Sequence, residues 1–372
     1  MLATQSLASN ATGQVGRIPI RNLWLLMLYA SDLYRHTTQL KVSVEDNPED
    51  LPNLVAEILT FSVEKRLHKN LSSGYRLREA ELSRVRGKID LLKTDSHQLL
   101  AKGKVACRFE ELTIDTPRNR FVLAALEMIS KLVTVQTLAH RCRSLSGSLK
   151  HLGVSGKCPT HFEVSLDRFG RNDADDRFMV AAAKLAYDMA IPTESVGNSY
   201  LVAPDREEVW LRKLYERAIG GFYKINLIPQ GWQVDTGKAV RWQIEHKTSG
   251  IDLIFPTMKT DIILDKINEG KRIVIDTKFT SILTSGWYRE DSLRSGYIYQ
   301  IYSYLMSQTG KGNYLDDKAV GLLLHPSVGK MVDETVTIQG HSIRFSTVDL
   351  SSSAKDMRQQ LLKVINFQAL IH

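Results

Sequence analysis

The stretch TDIILDKINEGKRIVIDTK (Thr260–Lys278) holds two short apolar runs separated by a polar turn. The runs TDIIL (260–264) and RIVIDTKF (272–279) have the β-branched composition that is typical of strands. Between them, NEG (268–270) has the composition of a turn, which predicts that the two strands are neighbours. Each run nevertheless carries an acidic residue, and the second ends in Asp-Thr-Lys. Charges placed among residues that favour burial call for a physical reason.

Alternation along the second strand places its charged side chains on one face. Asp276 and Lys278 are two residues apart and point the same way, whereas Ile273 and Ile275 point the other way. If the first strand pairs beside it, Asp261 can join them. Two carboxylates beside an ammonium group suit Mg²⁺, which prefers oxygen ligands. Such a metal acidifies bound water and neutralises phosphodiester charge, and a neighbouring lysine stabilises the transition state.

The alternative interpretation is an ordinary surface ion pair. An isolated Asp-x-Lys on an exposed strand is usually such a pair, and it contributes little to stability. Three features favour a functional site instead. The strand 272–279 is apolar enough to be central in its sheet, and Asp261 lies upstream of Asp276. Downstream, the segment QIYSY places Gln300 and Tyr304 four residues apart, on one face of a predicted helix.

Length and composition indicate a globular protein with two domains. The chain has 372 residues, of which 43% are hydrophobic and 24% are charged, and domains usually hold roughly 100–200 residues. Helix-like and strand-like spacings mix in both halves, so the predicted fold class is mixed α/β. We expect an α+β domain at 1–165 and an α/β domain at 166–372. The Gly- and Ser-rich stretch 144–162 is predicted to be a connector.

The sequence predicts a cytoplasmic protein with no membrane partner. Its three cysteines show no CxxC spacing, which indicates a reducing compartment and no zinc site. The N-terminal segment lacks the apolar core of a signal peptide. The longest apolar run, Leu23–Ala30, is far shorter than the ~20 residues that span a bilayer.

Positive charge is concentrated in one segment of the N-terminal half. The net charge is +8, and between Ser62 and Arg108 twelve Lys and Arg residues stand against five Asp and Glu residues. This segment is either a solvated basic face or a surface that meets DNA phosphates or an acidic protein partner. Its candidate docking residues are Arg84, Arg86 and Lys88.

The acidic residues and the lysine of the opening stretch resemble the signature of the PD-(D/E)xK nuclease superfamily. The resemblance implies a restriction-endonuclease-like α/β domain, in which Asp261 and Asp276 bind Mg²⁺, with Mn²⁺ as a substitute, and Lys278 activates water. Thr260 stands where the superfamily usually has proline. Many members also place a glutamate from an early helix near the metal. Glu216 is similar to that residue, and a solvent-facing position is its alternative.

The helix after these strands carries a second resemblance. Gln300 and Tyr304 are similar to the QxxxY motif of the RecB-like branch of the superfamily. The resemblance implies that they lie beside the metal site and contact DNA.

Three further segments extend the resemblance to the McrC family, the nuclease subunits of McrBC-type restriction systems. They are IPIRNLWLLMLYA (18–30), VRGKIDLLKT (85–94) and FEELTIDTPRNRFVLAAL (109–126). The resemblance implies a partner, the AAA+ GTPase ring McrB, that binds methylated DNA and translocates it. The N-terminal half of the chain would dock on this ring and stimulate GTP hydrolysis. The C-terminal half would cut double-stranded DNA that carries modified cytosine, 5-methylcytosine.

The sequence contains no GxxxxGK[ST] phosphate loop, so we expect that this chain binds no nucleotide itself. The polar residues 118–120 match the family stretch DTPRNR, and their simpler interpretation is that they hold the domain together. Two other functions stay open. One is a stand-alone RecB-like repair or recombination nuclease, and the other is a non-catalytic adaptor of an AAA+ motor. The intact Asp, Asp and Lys set argues against the adaptor.

Overall fold

The computed structural model describes residues 14–15, 18–31, 33, 50–159, 163, 169–170, 173–195, 204–284, 291–327 and 330–367. Helices and strands mix along the chain, so the predicted α/β class is confirmed. Within the described ranges the helices are α1 (Ile20–Ala30), α2 (Leu51–His68), α3 (Leu91–Ser96), α4 (Pro117–Leu132), α5 (Gln136–His151), α6 (Ala174–Ser195), α7 (Pro204–Leu227), α8 (Ser295–Met306), α9 (Tyr314–Asp317) and α10 (Ala354–Val364).

The strands of the same ranges form one large sheet and four small ones. They are β1 (Gln14–Val15), β2 (Ile18–Pro19), β3 (Gly74–Leu82), β4 (Lys88–Ile89), β5 (Val105–Thr113), β6 (Gln233–Thr236), β7 (Ala239–Val240), β8 (Met258–Lys259), β9 (Ile262–Lys266), β10 (Lys271–Thr277), β11 (Leu283–Thr284), β12 (Ser292–Leu293), β13 (Val320–Pro326), β14 (Asp333–Ile338) and β15 (His341–Val348).

Contacts divide the chain into two compact units. One unit comprises residues 1–51 together with 191–372, and the other comprises residues 52–190. This grouping differs from the predicted ranges 1–165 and 166–372 because α1 packs on α7 rather than on the N-terminal half. As functional domains, the two ranges stay a prediction.

The opening stretch forms the middle of the large sheet. The strand order is β14-β15-β13-β10-β9-β6. Strand β10 therefore has a neighbour on each side, antiparallel β9 and parallel β13. Residues 267–269 form the 3-10 turn between β9 and β10, and Gly270 follows at φ +61°, which favours glycine. The predicted adjacent strands, their turn and the central position are all confirmed.

Helix α8 covers one face of β10. Val274 packs in a buried cluster with Ile301, Tyr304 and Leu305 of this helix. Burying a Val, Ile or Leu side chain stabilises a fold by about 1.5–3 kcal/mol. Because Asp276 and Lys278 follow Val274 at two-residue steps, they emerge on the same face, next to α8.

Helix α1 is buried against α7, which explains its apolar sequence. Leu23, Leu25 and Leu26 are at most 2% exposed. The ring of Tyr29 meets that of Phe222 edge-on at 5.2 Å between centroids. The helices approach so closely that a Cβ on Gly221 would lie 1.8 Å from the Tyr29 carbonyl oxygen.

The unit of residues 52–190 combines helices with the three-stranded sheet β3-β5-β4. Its DTPRNR stretch begins α4, where Arg118 is 6% exposed and donates to Asp176 at 2.7 Å. Asn119 donates to the carbonyl of Ser72 at 3.0 Å, and Arg120 binds Asp115 through two nitrogens. The interpretation that residues 118–120 hold this unit together is confirmed.

One local prediction is wrong in part. Residues 144–151 of the predicted connector 144–162 belong to α5, which continues to His151. In the stretch 239–245, only β7 forms a strand, and it pairs with β8. Trp242 instead donates its indole N–H to the Pro256 carbonyl at 2.8 Å. Among the helices of the described residues, none combines the length and the apolar composition of a membrane span.

The approach of α1 to α7 predicts a large cost for Gly221→Ala. The new methyl group overlaps the Tyr29 backbone, so the helices must separate, and such overpacking costs about 1–3 kcal/mol. We expect a lower midpoint of thermal unfolding. Gly296→Ala is the control, since nothing lies within 4 Å of a Cβ there, and its midpoint should stay unchanged. Equal midpoints for the two variants would contradict the packing described.

Candidate functional site

The site lies where β10 ends in the interior of the large sheet. The Asp276 side chain is 0% exposed, and Nζ of Lys278 lies 2.7 Å from its Oδ2. The Lys278 side chain is 16% exposed, and its backbone N–H donates to the Leu324 carbonyl of β13 at 3.0 Å. The predicted juxtaposition of Asp276 and Lys278 on one face is confirmed.

The Asp276 carboxylate is poorly satisfied. Although the ammonium of Lys278 is at ion-pair distance, neither carboxylate oxygen accepts a hydrogen bond of ordinary geometry from the described residues. Burial raises the pKa of Asp276 to about 6; Lys278 opposes this shift, and Asp261 adds to it. A buried carboxylate in this state favours a proton or a cation.

Asp261 approaches Thr277 from the position that immediately precedes β9. Its Oδ2 accepts the backbone N–H of Thr277 at 2.7 Å and the hydroxyl of Thr277 at 2.8 Å. Thr277 is the residue between Asp276 and Lys278. Thr277 therefore holds the Asp261 carboxylate in place through two hydrogen bonds. The predicted approach of Asp261 to β10 is confirmed.

Glu216 approaches the same carboxylates from α7. Burial raises the pKa of Glu216, Asp261 adds to this shift, and Lys259 and Lys278 oppose it. Glu216 and Asp261 also line one cavity. Glu216 is therefore partly buried and lines this cavity beside the site. Its role as a metal ligand stays a prediction.

Gln300 and Tyr304 face each other on α8. The amide of Gln300 donates to the Tyr304 hydroxyl at 2.7 Å, and this hydroxyl donates to the Lys259 carbonyl at 2.8 Å. Tyr304 is 7% exposed, and burial raises its pKa while Gln300 opposes the shift. The pair ties α8 to the backbone just before Asp261. Contact with DNA stays a prediction for both residues.

Sequence reasoning missed Tyr297, which lies against the lysine. Nζ of Lys278 is 5.2 Å from the centroid of the Tyr297 ring, within cation–π range. The His325 ring packs on it at 5.7 Å, and burial lowers the pKa of His325 to about 4, so it is neutral there. Tyr297 precedes Tyr304 by two helical turns, and this spacing is the signal that could have found it.

Whether these residues could bind a metal ion depends mainly on the oxygens of Asp276. In the part of the chain that the structure describes, no three His, Cys, Asp or Glu side chains are arranged as a ready metal site. Mg²⁺, however, often binds through one or two carboxylates, with water and substrate phosphate completing its shell. The Asp276 carboxylate, whose Oδ1 has no hydrogen-bond partner among the described residues, fits that requirement together with Asp261.

The basic candidates of residues 52–190 lie on and beside the small sheet. Arg84, Arg86 and Lys88 are exposed, and the Arg86 guanidinium lies 4.2 Å from the centroid of the Phe109 ring. Many neighbouring cations have acidic partners across the strands, among them Arg78 with Glu111 and Arg108 with Glu79. Local pairing thus offsets part of the positive charge, and docking stays a prediction.

Comparison with known proteins agrees with the resemblance seen in the sequence. Residues 5–171 match the family model described as McrBC 5-methylcytosine restriction system component. The type IV methyl-directed restriction enzyme EcoKMcrBC of Escherichia coli (strain K12) is 23% identical over 350 residues, which cover 94% of this chain and 97% of that protein.

Two solved structures are also similar. The half-complex of a tetradecameric assembly of Thermococcus gammatolerans McrB AAA+ hexamers with bound McrC has a TM-score of 0.41 and 16% identity, covering 96% of this chain and 79% of that chain. The cryo-EM structure of the T. gammatolerans McrBC complex has a TM-score of 0.31 and 18% identity, covering 50% of this chain and 60% of that chain.

The fold and the cluster together describe a mixed α/β protein with a carboxylate and lysine site at the end of a central strand. The family match and the E. coli relative confirm the resemblance to McrC, and the chain is similar to the components of McrBC restriction systems.

The buried carboxylate predicts how stability changes with pH in metal-free buffer. The folded pKa of Asp276 is about 6, against the ordinary value of 3.8 for an aspartate side chain. Because the folded pKa is the higher one, the contribution to stability is full below about pH 4 and is lost as the pH rises through 6. That loss is up to roughly 3 kcal/mol.

Asp276→Asn removes this titration. We expect the unfolding free energy of the natural chain to fall relative to Asp276→Asn between pH 4 and pH 7, measured by chemical unfolding in EDTA. The two proteins are compared by how their unfolding free energies change with pH. Any pH-independent loss of stability from leaving Lys278 unpaired in Asp276→Asn therefore does not affect the comparison. Parallel pH profiles for the two proteins would contradict the raised pKa.

Proposed function

We propose that this chain is the DNA endonuclease subunit of an McrBC-type restriction complex. The observation that carries the proposal is the buried Asp276 carboxylate, which lies beside Lys278 and Asp261 at the end of a central strand and whose Oδ1 has no hydrogen-bond partner among the described residues. A perturbed carboxylate with nearby charged partners is more typical of a reaction site than of a structural ion pair. Its spacing on the strand is that of the PD-(D/E)xK superfamily.

Asp261 and Asp276 would hold Mg²⁺, or Mn²⁺ in its place, and Glu216 is the third candidate ligand. When bound, the ion supplies an acidified water and neutralises charge on the phosphodiester. The donor set supports this assignment, since hard divalent cations prefer carboxylate oxygens.

The protein residues would position the reacting groups. Lys278 would orient the attacking water and stabilise the charge that develops on phosphate. Thr277 holds Asp261 through two hydrogen bonds, and Tyr297 packs on Lys278. The Tyr304 hydroxyl fixes the Lys259 carbonyl. The ligands are thus held on two strands and one helix before substrate arrives, and such preorganisation favours catalysis.

The relationship to McrBC proteins supports a partner and a substrate. The E. coli relative is a methyl-directed restriction enzyme. We infer that this chain acts in the cytoplasm with an McrB-like AAA+ GTPase ring, cuts double-stranded DNA with modified cytosine, and stimulates the partner's GTPase through its N-terminal half. The three cysteines are unpaired, in keeping with a reducing compartment.

Metal binding can be measured without cleavage. We expect Mg²⁺ or Mn²⁺ to raise the thermal unfolding midpoint of the full chain at pH 7.5, because a ligand that binds the folded state stabilises it. Asp276→Asn should abolish most of this increase. Lys271→Gln, at the opposite end of β10, is the control and should respond like the natural chain. An equal metal response in Asp276→Asn would exclude Asp276 as a ligand.

Cleavage tests the function itself. The chain and its genomic AAA+ neighbour are purified together and given plasmid DNA with Mg²⁺, with or without GTP, methylated or unmethylated. We expect cutting that requires GTP, methylation and Asp276, so that Asp276→Ala still assembles but does not cut.

The other outcomes are equally decisive. Cutting by Asp276→Ala at the natural rate would show that the site assignment is wrong. Cutting without GTP would indicate a stand-alone nuclease. Faster GTP hydrolysis on addition of this chain, without any cutting, would indicate a non-catalytic adaptor.

A further inference from the structure

A cavity of about 410 Å³ opens on the α8 side of the large sheet. Its walls come from the segment around β7, the first half of β10 and the C-terminal end of α8, all in the same compact unit. Four basic side chains and one carboxylate line it, and these are Lys238, Arg241, Arg272, Lys311 and Asp316. The wall of this cavity is therefore mainly basic.

The cavity adjoins the candidate site through the backbone that leads into Asp261. The carbonyl of Lys238, at the cavity wall, accepts the N–H of Thr260 at 2.9 Å and the hydroxyl of Thr260 at 3.2 Å. The next residue along the chain is Asp261. Tyr304 also lines the cavity, and its hydroxyl donates to the Lys259 carbonyl at 2.8 Å. A short stretch of hydrogen-bonded backbone thus joins the cavity wall to the candidate metal ligand.

Two of the four cations are already paired within the protein. The Arg272 guanidinium donates to both oxygens of Asp265, at 2.7 Å and 2.6 Å, and it also binds Asp316. Nζ of Lys238 lies 2.9 Å from Oδ2 of Asp235, and this contact lowers the pKa of Asp235. Carboxylates therefore balance the charge of both residues.

The other two cations, Arg241 and Lys311, have no acidic partner among the described residues. Both side chains are exposed, and no described carboxylate lies within ion-pair distance of either one. Nζ of Lys311 donates to the side-chain oxygen of Gln308 at 3.0 Å and lies 3.5 Å from the Arg241 carbonyl oxygen. An ammonium has three N–H donors and a guanidinium has five, so both groups can bind a further acceptor.

Amide side chains hold the two cations at one wall. The Gln308 amide donates to the Arg241 carbonyl at 3.1 Å, while its oxygen accepts the ammonium of Lys311. Gln243 donates to two backbone carbonyls just beyond α8, at 3.0 Å and 2.6 Å. The segment after β7 is thereby tied to the end of α8, and the two unbalanced charges line the same cavity.

We propose that Arg241 and Lys311 bind the phosphate backbone of the DNA duplex on the α8 side of the candidate site. The proposal rests on the nuclease function proposed above. DNA that reaches Asp261 and Asp276 extends past them, and carboxylates alone repel a polyanion. Unbalanced cations on a fixed wall offset that repulsion and position the duplex. Guanidinium binds phosphate through two parallel N–H donors, and ammonium binds it as a point charge.

An acidic segment of a protein partner is the alternative occupant of this cavity. DNA is favoured because the cations lie beside the backbone that leads into Asp261. The AAA+ ring, in contrast, is expected to meet the N-terminal half of the chain. Contacts to phosphate do not depend on base sequence, and they weaken with salt by a slope of about 0.9 in log affinity per phosphate on duplex DNA. Salt dependence therefore identifies the occupant as DNA.

The experiment measures binding of a labelled duplex by fluorescence anisotropy across a salt series, with the full chain in the Asp276→Asn background. Arg241→Gln and Lys311→Gln are compared with Lys355→Gln, which removes the same charge from an exposed position on α10, a helix that packs on β15. We expect Kd to rise about tenfold for either cavity variant, as for loss of a charged hydrogen bond, and the salt slope to fall by about one.

The controls separate charge from structure. Lys355→Gln should keep both the Kd and the salt slope of the parent chain. Arg241→Lys keeps the positive charge and should keep most of the salt slope. The unfolding midpoints of the cavity variants should stay constant, because both side chains are exposed. Cleavage and assembly with the AAA+ partner are measured in parallel on chains that retain Asp276.

Failure of this inference is distinguishable from failure of the proposed function. If the natural chain cuts through Asp276 but both cavity variants match Lys355→Gln in Kd and salt slope, the phosphate contact is excluded and the nuclease stands. If nothing is cut but both cavity variants bind DNA more weakly, the nuclease function fails and the phosphate contact stands.

Three further results would overturn the proposal. The first is an absence of salt-dependent DNA binding by the parent chain. The second is loss of assembly with the AAA+ partner at unchanged DNA affinity, which would show that the cavity docks a protein. The third is a lower unfolding midpoint of the cavity variants without a change in salt slope, which would show a structural role.

Discussion

The end of β10 depends on a carboxylate that has been taken out of water without full compensation. Transfer of an ionised carboxylate to the interior costs several kcal/mol unless it is paired and hydrogen-bonded. Asp276 has the ammonium of Lys278 at 2.7 Å, yet its oxygens lack hydrogen bonds of ordinary geometry from the described residues. A residue selected for stability alone would be apolar at this position, as Val274 is two residues earlier on the same face. The unfavourable burial therefore indicates a functional role for Asp276.

The surrounding fold holds this arrangement in place through strand pairing and side-chain hydrogen bonds. Backbone hydrogen bonds to β9 and β13 hold β10 on both sides. Asp276 therefore does not lie on an edge strand, where local opening would expose it to solvent. Thr277, on the opposite face, recruits Asp261 with both its backbone and its side chain. Tyr304 then joins α8 to the segment that leads into Asp261. Asp261 is thus positioned by an uncharged neighbour, whereas Asp276 and Lys278 form an ion pair with each other.

Period-two alternation in the opening stretch predicts the paired strands, the central position and the shared face of Asp276 and Lys278, because these features are local. The packing of α1 on α7 depends on partners almost two hundred residues apart, and no local pattern predicts it. The stretch 144–162 shows a different error. Its Gly and Ser residues suggest a connector, yet Leu138, Cys142, Leu145 and Leu149 are buried at helical spacing within α5. In this segment, the helical spacing of the apolar residues predicts the secondary structure better than the Gly and Ser content does. The buried apolar face stabilises the helix, and a few Gly and Ser residues do not prevent its formation.

Burial and neighbouring charges act together on the carboxylates around the site. Burial raises the pKa values of Asp276 and Glu216, and the charge of Asp261 adds to both shifts. In the proposed function, a divalent cation would relieve that repulsion more effectively than a single ammonium, because it offers two charges to the same oxygens. Arg217 and Lys224 also line the cavity that Glu216 and Asp261 share. Charges of both signs therefore lie beside the carboxylates, and the negative charge at the end of β10 is only partly balanced by Lys278.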